Sequence, residues 1–230
     1  MERRRLRIQL TGPSGIGKTT IAKAISEKYH ISFISGSYSD LVPETKVLSH
    51  KEMIQKTPKD IFNQDFQLLN LRNKLFQGQD LYVSDRSFID SAAYIINKTS
   101  FDIPECDMEN FIEICKACLF KHCDGLIFMT YPDHIKDWEM EDNHKRVINR
   151  YYQMQISQVI WGLLRECNWN YIRTVEGEGL LSTIELPSPG NSLSRIPVCI
   201  VQATEFSKRM GLIDTFLHRF DLISNPATLF

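Results

Sequence analysis

Leu6-Arg-Ile-Gln-Leu-Thr-Gly12-Pro-Ser-Gly-Ile-Gly-Lys-Thr-Thr20 is the stretch on which the reading of this chain turns. Leu6 to Thr11 is short, branched and apolar, the pattern of a buried strand. Gly12, Gly17, Lys18 and Thr19 then satisfy the spacing G-x-x-x-x-G-K-[ST]. Behind them Ile21, Ala22, Ala24 and Ile25 put an apolar side on a helix running to about Tyr29. Each position has a physical reason. Gly12, Gly15 and Gly17 let the backbone curl so that successive N–H groups face one anion, with Ser14 in the bend. The helix that opens at Lys18 points its positive end at the same place. Lys18 brings a point charge to the outer phosphates, and the Thr19 hydroxyl, with Thr20 beside it, suits a divalent cation.

The rest of the chain alternates. Ile31–Ser35, Asp80–Asp85, Asp124–Tyr131 and Trp169–Val175 read as further strands. Helices are predicted over 58–77, closed by Gly78, over 87–97, over 108–121 and up to about Cys167. Strands alternating with helices predict a parallel sheet covered on both faces, here a five-stranded one. The segment 39–58, polar and broken by Pro43 and Pro58, reads as an acceptor loop. After Glu176 the alternation fails, so 1–176 is taken as one domain and 177–230 as a C-terminal extension. Within the extension, Ile196–Val201 is one more strand candidate and Glu205–Arg219 one more helix.

Composition narrows the classes. The chain has 230 residues, 43% hydrophobic and 24% charged, with a formal net charge of −1. That is the balance of a globular protein without the cationic excess of a backbone-tracking nucleic-acid binder. No apolar run is long enough to span a bilayer, and the basic start lacks the apolar stretch of a signal peptide, so a cytoplasmic protein is expected. The six cysteines are then expected to be reduced. Cys115 and Cys118 lie three apart on one apolar helical face with no second pair following, which favours a core over a zinc site. A homodimer is left open.

Val83-Ser-Asp85-Arg86-Ser87 ends a strand expected beside the first one, and ligands of open α/β sheets sit at the carboxyl ends of strands. Asp85 there can hold Mg²⁺ or take the acceptor's proton, and Arg86 can clamp a phosphate or stabilise charge in transfer. Downstream, Arg146 and Arg150 are four apart, so one helical face would present both guanidiniums.

Asp85-Arg-Ser-Phe-Ile-Asp90-Ser-Ala-Ala-Tyr94 resembles the DRSxxDxxAY signature of P-loop kinases akin to the nicotinamide riboside kinase domain. It is also similar to the E/D-R-S motif of deoxynucleoside kinases. Phe66-Gln67, with Arg72 beyond, resembles the helix in which those kinases read a base edge with glutamine. The resemblance covers about residues 5–176. It implies a three-layer P-loop kinase fold, ATP and Mg²⁺ as cofactors, Thr19 and Asp85 at the metal, and Phe66, Gln67 and Asp90 toward the acceptor. It also implies an arginine-bearing lid over the phosphates, at Arg146 and Arg150. The relatives carry a glutamate after the second strand. Here that place reads Ile34-Ser-Gly-Ser-Tyr-Ser-Asp40, and both Asp40 and Glu44 remain candidates for it. The expectation is phosphoryl transfer to a small nucleoside-like or nucleotide-like acceptor. A hydroxyl of a modified base in DNA is the alternative acceptor, and an NTPase switch the alternative class. Replacing Lys18 by Ala is expected to abolish phosphoryl transfer while circular dichroism stays that of the wild type. Normal turnover by a folded variant would refute the loop assignment.

Overall fold

The structure, a computed structural model, describes residues 5–36, 41, 56–99, 102–131, 149–168, 170–175, 179–187 and 193–222. Asp40, Glu44 and Arg146 lie outside these residues. Strand β1 (Leu6–Thr11) is buried along its whole length. It pairs in parallel with β3 (Leu81–Ser84) on one side and β4 (Gly125–Met129) on the other. Strand β2 (Ser32–Ile34) continues the parallel pairing beyond β3. Because side chains alternate along a strand, β1 sends Leu6, Ile8 and Leu10 to one face and Arg7, Gln9 and Thr11 to the other. On the first face lie α1 (Lys18–Tyr29) and α6 (Phe206–Arg219). On the second lie α2 (Pro58–Phe76), α3 (Phe88–Thr99), α4 (Glu105–His122) and α5 (Arg150–Arg165). This is the three-layer arrangement that the alternation predicts.

The polar residues of β1 are matched by specific partners. Arg7 grips Asp124 through Nε at 2.9 Å and Nη2 at 2.8 Å, a two-pronged pair, and donates to the Lys121 carbonyl at 2.6 Å. Gln9 Nε2 donates to the Tyr82 hydroxyl at 3.2 Å and the His122 carbonyl at 3.0 Å. These bonds fasten β1 to the junction of α4 and β4 and to β3, and leave the carboxyl end of β1 to the phosphate loop.

The fifth parallel strand comes from a different part of the chain than expected. It is β7 (Leu193–Val201), which pairs with β4 from Leu126↔Val198 to Met129↔Val201. The segment expected there, β5 (Asn170–Val175), lies at the far edge, antiparallel to β6 (Gly179–Pro187), which is antiparallel to β7. Among the described residues the order is β2-β3-β1-β4-β7-β6-β5. The reason is apolar content on both faces. An interior parallel strand must be covered on both sides. Val198, Cys199, Ile200 and Val201 are all at most 2% exposed, whereas the sequence of 170–175 includes Asn170, Arg173 and Thr174. Gly179, in the stretch where the alternation of the sequence fails, opens β6 and pairs with Val175 of β5. Residues 179–222, expected as an extension, thus supply two strands and a helix to the same sheet and its cover.

Among the described residues no helix is long and apolar enough to cross a membrane. A chain ending at Glu176 would leave β4 with an open edge and strip α6 from the face holding Ile127 and Met129. Such a fragment is expected to lose cooperative thermal unfolding by circular dichroism, and a sharp transition would show that β7 and α6 are dispensable.

Candidate nucleotide-binding site

The loop Gly12–Gly17 leaves the end of β1 and enters α1. Gly12 has φ 140°, and a Cβ there would lie 2.2 Å from the Met129 carbonyl oxygen, so only glycine lets the chain turn this close to β4. Gly15, at φ 83°, and Gly17, which caps α1 at φ 88°, both stand in the left-handed region, as the curl read from the sequence requires. Lys18 is 5% exposed, and its Nζ donates to the Gly12 and Pro13 carbonyls, at 2.6 Å each. These two carbonyls are groups that an anion can replace at Nζ. The Thr19 hydroxyl donates to Asp85 Oδ2 at 2.7 Å, and the Gly36 N–H donates to Asp85 Oδ1 at 3.1 Å. Thr19 and Thr20 are exposed beside it.

Asp90 ties this loop to the segment after β3. Its Oδ1 accepts from the Thr11 hydroxyl and the Gly12 N–H, both at 3.1 Å, and its Oδ2 from the Ser87 N–H at 2.8 Å. At 2% exposure, with three donors from the protein itself, this carboxylate positions the loop; the acceptor contact read from the motif is not what its geometry displays. One turn on, the Tyr94 hydroxyl lies 2.7 Å from Ser14 Oγ, and the Arg86 guanidinium sits 5.7 Å from the Tyr94 ring centroid. Burial lowers the Arg86 pKa, but Tyr94, Asp90 and Asp85 more than offset this and raise it overall, so Arg86 is a fixed cation.

Arg72, 3% exposed on α2, reaches across to the same place. It donates to the Ser87 carbonyl at 3.1 Å, Ser91 Oγ at 2.6 Å and the Gly36 carbonyl at 2.9 Å. Two helical turns earlier, Asp65 shares its face. Burial pushes the Asp65 carboxyl above its ordinary range, against the opposing pull of Lys98, whose Nζ is 3.7 Å away, and of Arg72. Asp65 Oδ2 and Arg72 Nε are buried and have no hydrogen-bond partner among the described residues.

The α2 residues picked from the sequence point elsewhere. Phe66 packs on Phe111 of α4, with ring centroids 5.9 Å apart, and Gln67 is exposed. A helix turns by about 100° per residue, so Phe66 and Gln67 rotate away from the face that carries Asp65 and Arg72. The lid reading meets the structure at the start of α5. Asn149 is the cap of α5, in extended conformation, with its side chain accepting from the Tyr151 and Tyr152 N–H groups. Arg150 is the first residue of that helix, and position 146 lies outside the described residues. The motifs miss Asp65, and they miss Arg209 of α6, which touches the loop from behind. The seven-residue step between Asp65 and Arg72 is the available signal for the first; nothing local marks the second.

A glycine loop between a buried parallel strand and a helix, with a carboxylate from the neighbouring strand on its threonine, defines a P-loop protein of kinase-like α/β fold that binds a nucleoside triphosphate. The chain belongs to the AAA domain family, whose model matches residues 7–178. Solved structures share the fold. Deoxyadenosine kinase from M. mycoides with bound dATP aligns over 92% of this chain and 98% of its own, with 17% identity and a TM-score of 0.57. The same enzyme with products dCMP and dCDP aligns over 94% and 99%, with 14% identity and a TM-score of 0.55. NadR protein in complex with NAD and AMP-PNP aligns over 99% of this chain and 52% of its own, with 12% identity and a TM-score of 0.50. At these identities the likeness is one of fold. No curated protein matches the chain.

Removing the Asp90 carboxylate tests the join between loop and motif. Asp90→Ala strands three donors, two of them backbone N–H groups, at about 1–3 kcal/mol each. Urea denaturation is expected to show a loss of about 3 kcal/mol or more. An unchanged midpoint would show that these bonds do not hold the loop.

Proposed function

We propose that the chain is an ATP-dependent kinase that transfers the γ-phosphate to a small nucleoside-like or nucleotide-like acceptor. The observation that carries this reading is the bond from Thr19 to Asp85, 2.7 Å long, at the mouth of a loop closed by Lys18. A hydroxyl and a carboxylate this close are hard oxygen donors of the kind Mg²⁺ takes, so Thr19 and Asp85 fit the ion. When bound, the ion would neutralise charge on the β- and γ-phosphate oxygens.

The residues of the chain account for the remaining work. Loop N–H groups and the start of α1 hold the phosphates. Lys18 exchanges the Gly12 and Pro13 carbonyls for phosphate oxygens. Arg86, held over Tyr94 beside Asp85, is the cation suited to stabilise charge on the transferring group. In the transfer the acceptor oxygen forms a bond to the γ-phosphorus, the bond from that phosphorus to the β–γ bridging oxygen breaks, and ADP leaves with the electron pair. The acceptor's hydroxyl proton has to pass to a carboxylate, a role open to Asp85 as the alternative to holding Mg²⁺.

Asp65 and Arg72 support a base-like acceptor. One buried oxygen that accepts and one buried N–H that donates, both without hydrogen-bond partners among the described residues, suit a molecule whose edge offers a donor and an acceptor. The deoxyadenosine kinase and NadR likenesses agree with this reading at the level of fold.

The test is transfer from labelled ATP to a panel of nucleosides, nucleotides and duplex DNA, with acceptor affinity measured against salt. Label is expected in a small nucleoside-type product, with affinity nearly independent of salt, and with Asp85→Asn lowering kcat by about a hundredfold. Label in duplex DNA alone, with log affinity falling at a slope of about −0.9 per neutralised phosphate, replaces the proposal with a DNA kinase. Phosphate release that no acceptor accelerates replaces it with an NTPase switch.

A further inference from the structure

Arg209 lies on α6, in the part of the chain beyond the residues that the AAA domain model matches. It is 6% exposed, and burial lowers its pKa. Its Nη1 donates to the Ile16 carbonyl at 2.7 Å, and its Nε donates to the Ala203 carbonyl at 2.8 Å. The same Nη1 lies 3.2 Å from where a Cβ on Gly17 would stand. The guanidinium therefore spans from the turn between β7 and α6 to the back of the phosphate loop, against the peptide that joins Ile16 to Gly17.

That peptide is the penultimate one before Lys18. In a trans peptide the C=O and N–H point in opposite directions. An arginine that holds the Ile16 oxygen from behind fixes the plane of the unit, and so directs the Gly17 N–H away from itself. We propose that Arg209 is a positioning residue of the nucleotide site, locking the Ile16–Gly17 peptide so that its N–H faces the bound phosphates. The fork geometry of arginine matters here, because one side chain has to serve the Ile16 and Ala203 carbonyls together. The fixed positive charge, kept from water behind the loop, adds to the potential that draws the anion. The β6–β7–α6 segment thereby becomes part of the nucleotide site. The proposal rests on the loop's binding of a nucleoside triphosphate and is independent of the acceptor.

A second contact on the same helix provides the control. Asp214 of α6 pairs with Lys28 and accepts from the Tyr29 hydroxyl at the far end of α1, away from the loop. Loosening that contact weakens the docking of α6 without touching Ile16. The experiment is calorimetric titration of the full chain with ATP and Mg²⁺, with melting temperatures recorded without nucleotide. Arg209→Met is expected to raise the ATP Kd roughly tenfold and Arg209→Lys, which keeps the charge but not the fork, roughly threefold. Asp214→Asn is expected to lower the melting temperature while holding the Kd within about twofold of the wild type. Wild-type affinity in Arg209→Met overturns the proposal, and so does an equal loss in Asp214→Asn, which would make the effect one of helix docking. If the methionine variant does not fold, Arg209→Lys decides, and wild-type affinity there overturns the proposal. Lys18→Ala separates the two levels: if it binds ATP as the wild type does, the loop assignment falls and this inference with it.

Discussion

The carboxylate of Asp90 is the point on which the geometry of the site depends. A charge removed from water needs donors in place, and this one draws them from Thr11 and Gly12 on one side and Ser87 on the other. The two segments are 78 residues apart in sequence at the Gly12 bond. Once joined, the exit of β1 and the entry to α3 cannot move independently. Ser14 is then brought to Tyr94, and Thr19 to Asp85, as consequences of one shared anion.

Buried cations stand at the loop and at the segments beside it. Lys18, Arg72 and Arg209 are each at most 6% exposed, and each bonds to backbone carbonyls: Gly12 and Pro13, Ser87 and Gly36, Ile16 and Ala203. Burying cations in this way costs desolvation, which depresses Arg72 and Arg209. An incoming polyphosphate would offset that cost at Lys18 and Arg209, the two that bond to the loop itself.

The backbone around these charges is stiff where it needs to be. Gly12 passes the Met129 carbonyl too closely for any side chain, and Gly36 is held by Asp85 at its N–H and by Arg72 at its carbonyl. The ends of β1, β2 and β3 are thus bound to one another at the edge of the sheet where ligands of this fold class sit. Asp65 and Arg72 extend that edge to α2, carrying a buried acceptor and a buried donor two turns apart on one face.

What could be read from the sequence was what neighbouring residues decide between themselves. The loop from Gly12 to Thr19, the apolar β1 before it, the helix after it, and Asp85 at the end of β3 are each defined within a few residues, by backbone freedom, period and charge. Tertiary pairing decided the rest. Whether 170–175 or 193–201 lies beside β4 depends on which strand is apolar on both faces when buried, and only the assembled sheet tests that. Phe66 and Gln67 look like an acceptor contact in a linear motif, yet the rotation of α2 against α4 turns them away and brings Asp65 and Arg72 inward. Arg209 reaches Ile16 across 193 positions, a separation at which no local pattern carries information and only the docking of α6 behind the loop brings the two together.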